Sequence, residues 1–193
     1  TVPMGLSMKE EQVLRQSAVV LVMAQVKAGS AFLREHLTRD GELRRSRFRT
    51  ADGGTTLPAT IVHRGAGAVL ASLPPGEWTY SWIRDGAYAA SAMSTLGLTA
   101  ESRDALRFYL DAEGGRFKDW NELRPYSMPP YVVSLTRYVG FGVEETDFND
   151  HGPNLEFDGF GLFLWALRQH ELHTNDTTLT DAYFTPGSCF RRE

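Results

Sequence analysis

The segment from Leu73 to Gly86 constrains the fold more than any other part of this chain. The prolines and the glycine at 74–76 favour a turn, because proline presets φ and glycine tolerates unusual backbone angles. Aromatic residues then occupy every second position, so an extended backbone would place them on one face. From Asp85 onward apolar residues recur at helical spacing, and Gly97 is a suitable end point. The segment therefore predicts a turn, a short extended run and a helix, in that order.

The same segment carries side chains that suit a sugar ligand. The rings of Trp78, Tyr80 and Trp82 could stack on the apolar faces of a sugar. Arg84 and Asp85 could exchange charge-assisted hydrogen bonds with its hydroxyl groups. The same residues also fit a purely structural role, with Arg84 and Asp85 at a helix start and the aromatic rings in the core. The residue types alone leave both interpretations open.

The first helix is predicted over residues 9–28. Ser7 can act as its N-cap, and Glu10 stands at the spacing of a capping box. Apolar residues follow a helical stripe, and Gly29 ends the pattern. A shorter helical piece is expected over 30–38.

The remaining chain alternates helical patterns with long connections. Thr99 can cap a helix over 100–112, which Gly114 and Gly115 would end, and a strongly apolar helix is predicted over 158–172. The expected connections are a small β-like excursion near 40–65, a loop over 113–130, a short helix or strand over 131–138 and an acidic loop over 140–154. The chain is thus expected to be mainly α.

Length and composition narrow the classes of function. A chain of 193 residues favours one domain, spanning 1–193. The net charge of −4 offers no broad basic field, so nucleic acid is not an expected partner. Cys189 is the single cysteine, which excludes an intrachain disulfide and a cysteine metal cluster, and no cofactor or metal is expected. The longest apolar run, Ala18–Ala24, is too short to span a membrane, and a cytoplasmic location is favoured over secretion.

Two blocks of the chain resemble glycoside hydrolase family 15, which contains glucoamylases, glucodextranases and trehalases. Residues 68–76 resemble a lead-in found in bacterial members, and the run Trp82 to Asp85 resembles the family's Trp-x-Arg-Asp signature. Residues 152–162 resemble a second loop, in which an Asp-Gly pair, here at Asp158, begins another inner helix. Residues 13–18 resemble the first helix of such domains. The resemblance extends over about 10–172 and is poorer over 29–62.

The resemblance implies an (α/α)6 toroid of the six-hairpin glycosidase type, whose loops at one end form the pocket. A ring of twelve helices takes roughly 215 residues, at about 12 per helix and about 6 per connection. Five or six helices are expected here, so the chain would be the N-terminal part of such a domain. A cloned or proteolytic fragment, a gene truncated by a frameshift, or a missing half supplied by another chain would each explain this. Exposed inner helices would then favour self-association.

The resemblance further implies an inverting exo-α-glucosidase of the glucoamylase type, acting on an α-glucan or oligosaccharide. Asp85 would accept hydrogen bonds from the terminal glucose, and Arg84 would donate to the same sugar or orient Asp85. Trp82 would line that pocket, with Tyr80 and Trp78 beside it.

The family's catalytic pair has no counterpart in this chain. Inverting glycosidases need an acid and a base carboxyl about 6.5–9.5 Å apart. Both are glutamates that lie after the Asp-Gly loop in the family, and residues 173–193 contain no match to either. The chain would therefore supply a sugar site and be inactive alone.

Other acidic and aromatic residues have two interpretations each. Asp158 could contact sugar or cap its own helix, and Glu156 could be an acid or simply a solvated loop residue. Trp120 could form an aromatic platform with its neighbours 119–122 and Tyr126, or lie in a surface loop. The acidic run Glu144, Glu145, Asp147 and Asp150 could bind calcium but is more typical of a solvated loop. His170 and His173 suit a helix C-terminus better than a metal site.

Two functions of other classes compete with the hydrolase. The chain could be a non-catalytic carbohydrate-binding or regulatory α/α-toroid module. It could also be a helical interaction domain whose motifs are core residues. In that case replacing Asp85 by Asn would destabilise the fold instead of abolishing sugar binding.

Overall fold

The residues that the structure describes are mainly helical, as the periodicity predicts. A computed structural model describes residues 5–27, 31–33, 36–37, 43–44, 60–62, 66–73, 80–112, 137–139, 143–145, 148–149, 152–153 and 156–184. The helices in these residues are α1 Met8–Ala24, α2 Ile83–Thr95, α3 Thr99–Asp111, α4 Asp158–Thr174 and α5 Thr178–Tyr183. None of these described helices is both long and apolar enough to cross a membrane.

Helix α1 begins with the predicted capping box. The backbone N–H of Glu10 donates to the Ser7 hydroxyl at 3.4 Å, and the Ser7 N–H donates to the Glu10 carboxylate at 2.8 Å. The helix ends at Ala24, earlier than the predicted residue 28. Gln25 instead forms an antiparallel bridge with Val69. A long-range backbone pairing thus overrides the local helical pattern, and it ties the end of α1 to the segment before α2.

Helices α2 and α4 run side by side in the same direction. Their first turns are in contact, since a Cβ added at Gly159 would lie 3.4 Å from the Ile83 Cβ. Their last turns are also in contact, because Ser94 Oγ lies 3.3 Å from His170 Nδ1. Contacts that pair start with start and end with end require parallel axes.

Helix α3 runs opposite to α2. Near its end, the Tyr109 hydroxyl donates to the Trp82 carbonyl at 2.9 Å, at the start of α2. Near its start, Ser102 Oγ lies 2.5 Å from Ser94 Oγ. The turn between them is the predicted one, with Gly97 at a φ of +78°, where a side chain would be strained.

Helix α5 returns alongside α3. Asp176, just before α5, pairs with Arg103 near the start of α3 at 3.2 Å. Tyr183, at the end of α5, donates to Asp111 at the end of α3. Helices α3 and α5 are therefore parallel to each other and antiparallel to α4.

Buried residues at matching intervals explain this packing. In α2 they include positions 83, 87, 90 and 94, and in α4 positions 159, 163, 166 and 170. Intervals of four, three and four keep these residues on one face of each helix. Ala90 and Ala166 are completely buried, as are the larger core residues Met93 and Leu106. The core lies among α2, α3 and α4.

Short strands form four small antiparallel sheets in the described residues. Their bounds are β1 Ala31–Leu33, β2 His36–Leu37, β3 Leu43–Arg44, β4 Thr60–Val62, β5 Ser81–Trp82, β6 Arg137–Val139, β7 Val143–Glu145, β8 Phe148–Asn149 and β9 Gly152–Pro153. The pairings are β1 with β4, β2 with β3, β5 with β6 with β7, and β8 with β9.

The strands confirm some expectations and correct others. Strands β3 and β4 lie in the predicted excursion near 40–65. The helical piece expected over 30–38 is wrong, because this segment contributes β1 and β2. The acidic segment 140–154 contains β7, β8 and β9 and is not a simple loop. In each case the strand pairs with a second segment, a condition that local helical spacing does not reveal.

Candidate functional site

Arg84 links the starts of α2 and α4. Its Nε donates to Asp158 Oδ2 at 2.8 Å, and its Nη2 donates to Glu156 Oε2. These carboxylates are 74 and 72 positions away in the chain. The hydrogen bond to Asp158 raises the pKa of Arg84, so the guanidinium stays charged. Because α2 and α4 are parallel, Arg84 of the first motif block meets Glu156 and Asp158 of the second at this end of the bundle.

This arrangement corrects the predicted partners of these residues. The resemblance implies that Arg84 donates to the sugar or orients its neighbour Asp85, whereas the structure pairs Arg84 with Asp158 and Glu156. No side chain caps α4, so the capping role considered for Asp158 is wrong. Glu156 is not a freely solvated loop residue, since its side chain is 24% exposed and engaged in the ion pair.

Asp85 is the carboxylate that remains available at this end. It is exposed and lies in the first turn of α2, where the helix dipole favours a negative charge. Within the part of the chain that the structure describes, no hydrogen bond or ion pair to its carboxylate is found. Asp85 is therefore positioned to accept hydrogen bonds from a ligand.

A groove of about 400 Å³ opens beside Asp85. It lies between α1, the segment 69–73 and α2. Its lining residues are Val20, Leu21, Ala24, Val69, Leu70, Ala71, Ser72, Leu73, Arg84, Asp85, Tyr88 and Ala89. Most of these are aliphatic, and the charged members, Arg84 and Asp85, are adjacent in sequence. The groove thus combines an apolar wall with a charged pair.

Of the aromatic residues before α2, Tyr80 and Trp82 share one face, as predicted, but neither lines the groove. The rings of Tyr80 and Trp82 contact edge to face with centroids 5.3 Å apart. The guanidinium carbon of Arg137 lies 4.4 Å from the Tyr80 centroid and 5.3 Å from that of Trp82. Tyr80 is buried, which favours its packing role, while Trp82 is half-buried. The predicted site residues Trp78 and Trp120 lie outside the described residues.

A buried polar cluster around His170 is absent from the sequence-based site. His170 Nδ1 lies 3.0 Å from Ser102 Oγ, and its Nε2 lies 3.5 Å from an Asp176 oxygen. Burial lowers the pKa of His170, and the nearby Asp176 opposes this. The dipole role predicted for His170 is therefore wrong, because burial favours its neutral form. The only hint in the sequence is the helical interval that places 170 on the buried face of α4.

The residue types of this cluster, serine, histidine and aspartate, are those of a nucleophilic triad, but the geometry does not suit that chemistry. Ser94 and Ser102 are 2% and 0% exposed, so no substrate reaches their hydroxyl groups. Both hydroxyls donate to the Ala90 carbonyl at 2.9 Å. The cluster instead joins α2, α3 and α4 through hydrogen bonds.

The acidic run after β6 forms part of a sheet. Glu144 and Glu145 belong to β7, where Glu145 is opposite Arg137 in the register. Asp147 and Asp150 lie outside the described residues. No group of three or more potential metal-ligating side chains occurs among the residues that the structure describes.

Comparisons with known proteins give no relative from which to assign the site. Neither the protein-family models, nor the curated proteins, nor the solved structures contain a match to this chain. Any function proposed for it therefore depends on its own residues and geometry.

Proposed function

We propose that this chain provides the terminal-glucose binding site of an inverting exo-α-glucosidase of the glucoamylase type. The observation that carries the proposal is the ion pair between Arg84 and Asp158. These residues belong to the two blocks that resemble glycoside hydrolase family 15, and 74 positions separate them. A shared binding site would account for the meeting of both blocks at one end of the bundle.

The directions of the helices support a toroid of helix hairpins. In such a ring the inner helices run one way and the outer helices return. Here α2 and α4 are parallel neighbours and would be inner helices. Helices α3 and α5 are antiparallel to them and would be outer helices. The tight connections 96–98 and 175–177 fit two successive hairpins.

Asp85 and Arg84 would bind the terminal glucose by complementary hydrogen bonding. The carboxylate of Asp85 would accept from two neighbouring hydroxyl groups. A guanidinium has five N–H donors. One N–H of Arg84 goes to Asp158 and one to Glu156, which leaves three for a ligand. The two carboxylates would also hold the guanidinium in a fixed orientation, which reduces the entropy lost on binding.

The chemical step is assigned to glutamates outside this chain. Inversion needs a general acid and a general base about 6.5–9.5 Å apart, with a water molecule in between. Of the carboxylates described near the groove, Glu156 and Asp158 are both engaged by Arg84. The chain alone is therefore expected to bind sugar without hydrolysing it, which is also how a carbohydrate-binding or regulatory module would behave.

The test is sugar binding by the 193-residue chain and by its Asp85→Asn variant. Calorimetry with methyl α-glucoside and maltose should show binding to the original chain and a loss of at least about tenfold in the variant, since a charge-assisted hydrogen bond contributes about 1.5–3 kcal/mol. Asp104→Asn, at a half-buried carboxylate of α3 away from the groove, is the matched control and should bind normally.

Stability measurements on the same proteins separate binding from a structural role. Urea unfolding of Asp85→Asn should show a loss of no more than about 0.3–1 kcal/mol, the contribution of a negative charge near the start of a helix. A strongly destabilised variant would instead favour the helical interaction domain. Stable proteins that bind neither sugar would refute the proposal. Release of glucose from maltose or trehalose by this chain alone would refute the assignment of the catalytic glutamates.

A further inference from the structure

We infer that the site prefers a glucoside carrying an apolar aglycone, such as an alkyl group, over a chain of glucose units. The inference rests on the proposed function, because it assumes that Asp85 and Arg84 hold a terminal sugar. It concerns what occupies the groove next to them, between α1 and the start of α2.

The groove wall is poorly suited to a second glucose unit. Its aliphatic members come from three separate segments and include Val20, Leu21, Leu70, Leu73 and Ala89. The hydroxyl groups of a second sugar would lose water against these side chains with few partners in return, which is unfavourable. An alkyl chain would gain free energy from the same contact. The volume of about 400 Å³ lies within the range of small-molecule sites.

The charges around the groove favour a neutral ligand. Arg84 carries one positive charge, and Asp85, Glu156 and Asp158 carry three negative charges, so the four side chains sum to −2 (+1 − 3). Because Asp158 and Glu156 already compensate Arg84, an anionic head group would meet the uncompensated carboxylate of Asp85. A sugar hydroxyl can donate to that carboxylate without repulsion. A neutral sugar with an apolar tail matches both parts of the site.

The experiment is a calorimetric series on the full chain with methyl, butyl and hexyl α-glucosides below their micelle concentrations, and with maltose. Affinity should rise about twofold for each added methylene. A fully buried methylene would raise affinity nearly fourfold, but the groove is open to solvent and buries each methylene only in part. Maltose should bind no more tightly than methyl α-glucoside. Hexyl sulfate, which has an apolar tail and an anionic head, should bind more weakly than hexyl α-glucoside.

Two neighbouring valines of α1 provide a matched pair of variants. Val20 and Val19 are 53% and 56% exposed, and only Val20 lines the groove. In Val20→Asn the gain in affinity for each added methylene should be smaller than in the original chain. In Val19→Asn this gain should be unchanged. Both substitutions are at solvent-exposed helix positions, and circular dichroism checks that both proteins are folded.

The outcomes separate this inference from the proposed function. Binding of methyl α-glucoside with no gain along the alkyl series would overturn the inference and leave the proposed function standing. The inference also fails if Val19→Asn and Val20→Asn reduce the gain in affinity per methylene by the same amount. Equal binding of hexyl sulfate, or alkyl binding that survives Asp85→Asn, would indicate adsorption to apolar surface and overturn it as well. If no glucoside binds, the proposed function itself fails.

Discussion

At the scale of single residues, the buried imidazole of His170 couples the fold to pH. Charged or titratable groups face it from α3, from the end of α4 and from the segment before α5, namely Arg103, Glu171 and Asp176. Burial lowers its pKa below the ordinary 6.5, so the folded chain takes up this proton less readily than the unfolded chain. The contribution of His170 to stability is therefore complete well above pH 6.5 and declines as the pH falls from there towards the folded pKa.

We predict that the original chain loses stability relative to a His170→Gln variant as the pH is lowered from about 8 to about 5. Urea unfolding at several pH values measures this difference.

The neighbouring carboxylate of Asp176 does not titrate in this pH range. Partial burial raises the pKa of Asp176, but hydrogen bonds from Thr178 outweigh this effect and bring its pKa to about 2. A lowered pKa means that Asp176 contributes stability above its ordinary 3.8 and loses it only below that pH, outside this window.

The matched control for this prediction is His173→Gln, at an exposed histidine of the same helix. That variant should keep the pH dependence of the original chain. A gain in stability of the original chain on acidification, relative to His170→Gln, would mean that pairing of the protonated imidazole with Asp176 outweighs burial, and the prediction would be wrong.

At the scale of elements, the approach of α3 to α2 depends on a glycine in the first turn of α2. A Cβ added at Gly86 would lie 1.8 Å from the Tyr109 hydroxyl oxygen, which no rotation of an alanine relieves. Tyr109 is itself held by hydrogen bonds to Ser81 and to the Trp82 carbonyl. Its burial also raises its pKa, so it stays neutral. The start of α2 and the end of α3 therefore have little freedom to separate.

We predict that Gly86→Ala destabilises the protein by about 1–3 kcal/mol, because it overpacks the contact between α2 and α3. Urea unfolding measures the loss. Gly161→Ala in α4 is the control, since that glycine is also inside a helix and nothing lies within 4 Å of an added Cβ. It should stabilise by about 0.5–1 kcal/mol through helix propensity alone. Equal effects of the two substitutions would contradict the close packing described for Gly86.

At the scale of the whole molecule, apolar side chains remain exposed on α1 and α4. They include Val13, Val19, Met23, Leu164, Trp165 and Leu172. On α4, residues 164, 165 and 172 lie on one side of the helix, and Trp165 contacts the exposed Tyr88 of α2 with ring centroids 5.6 Å apart. Large exposed apolar patches favour association in water. Under the toroid proposal, these are surfaces against which further helices of a ring would pack.

We predict that the 193-residue chain self-associates reversibly as its concentration rises. Sedimentation velocity over a wide concentration range should show this. The double variant Leu164→Gln with Leu172→Gln should weaken the association, because it removes apolar surface from α4. His173→Gln, at an exposed position of the same helix outside this patch, should leave it unchanged. A clean monomer at every concentration would show that these side chains are individually solvated and not an interface.

Features that depend on residues a few positions apart can be predicted from the amino-acid sequence alone. The capping box of α1, the end of α2 near Gly97, the span of α4 and the mainly helical class follow from caps, breakers and periodicity within one stretch of chain. Features that depend on a distant partner appear only when the chain folds. The bridge from Gln25 to Val69 shortened α1, strand pairing replaced the helix expected over 30–38, and the parallel packing of α2 and α4 gave Arg84 its carboxylates and buried His170. Each of these is a contact between separate segments of the chain. Such a contact stabilises the structure only after folding has brought the two segments together.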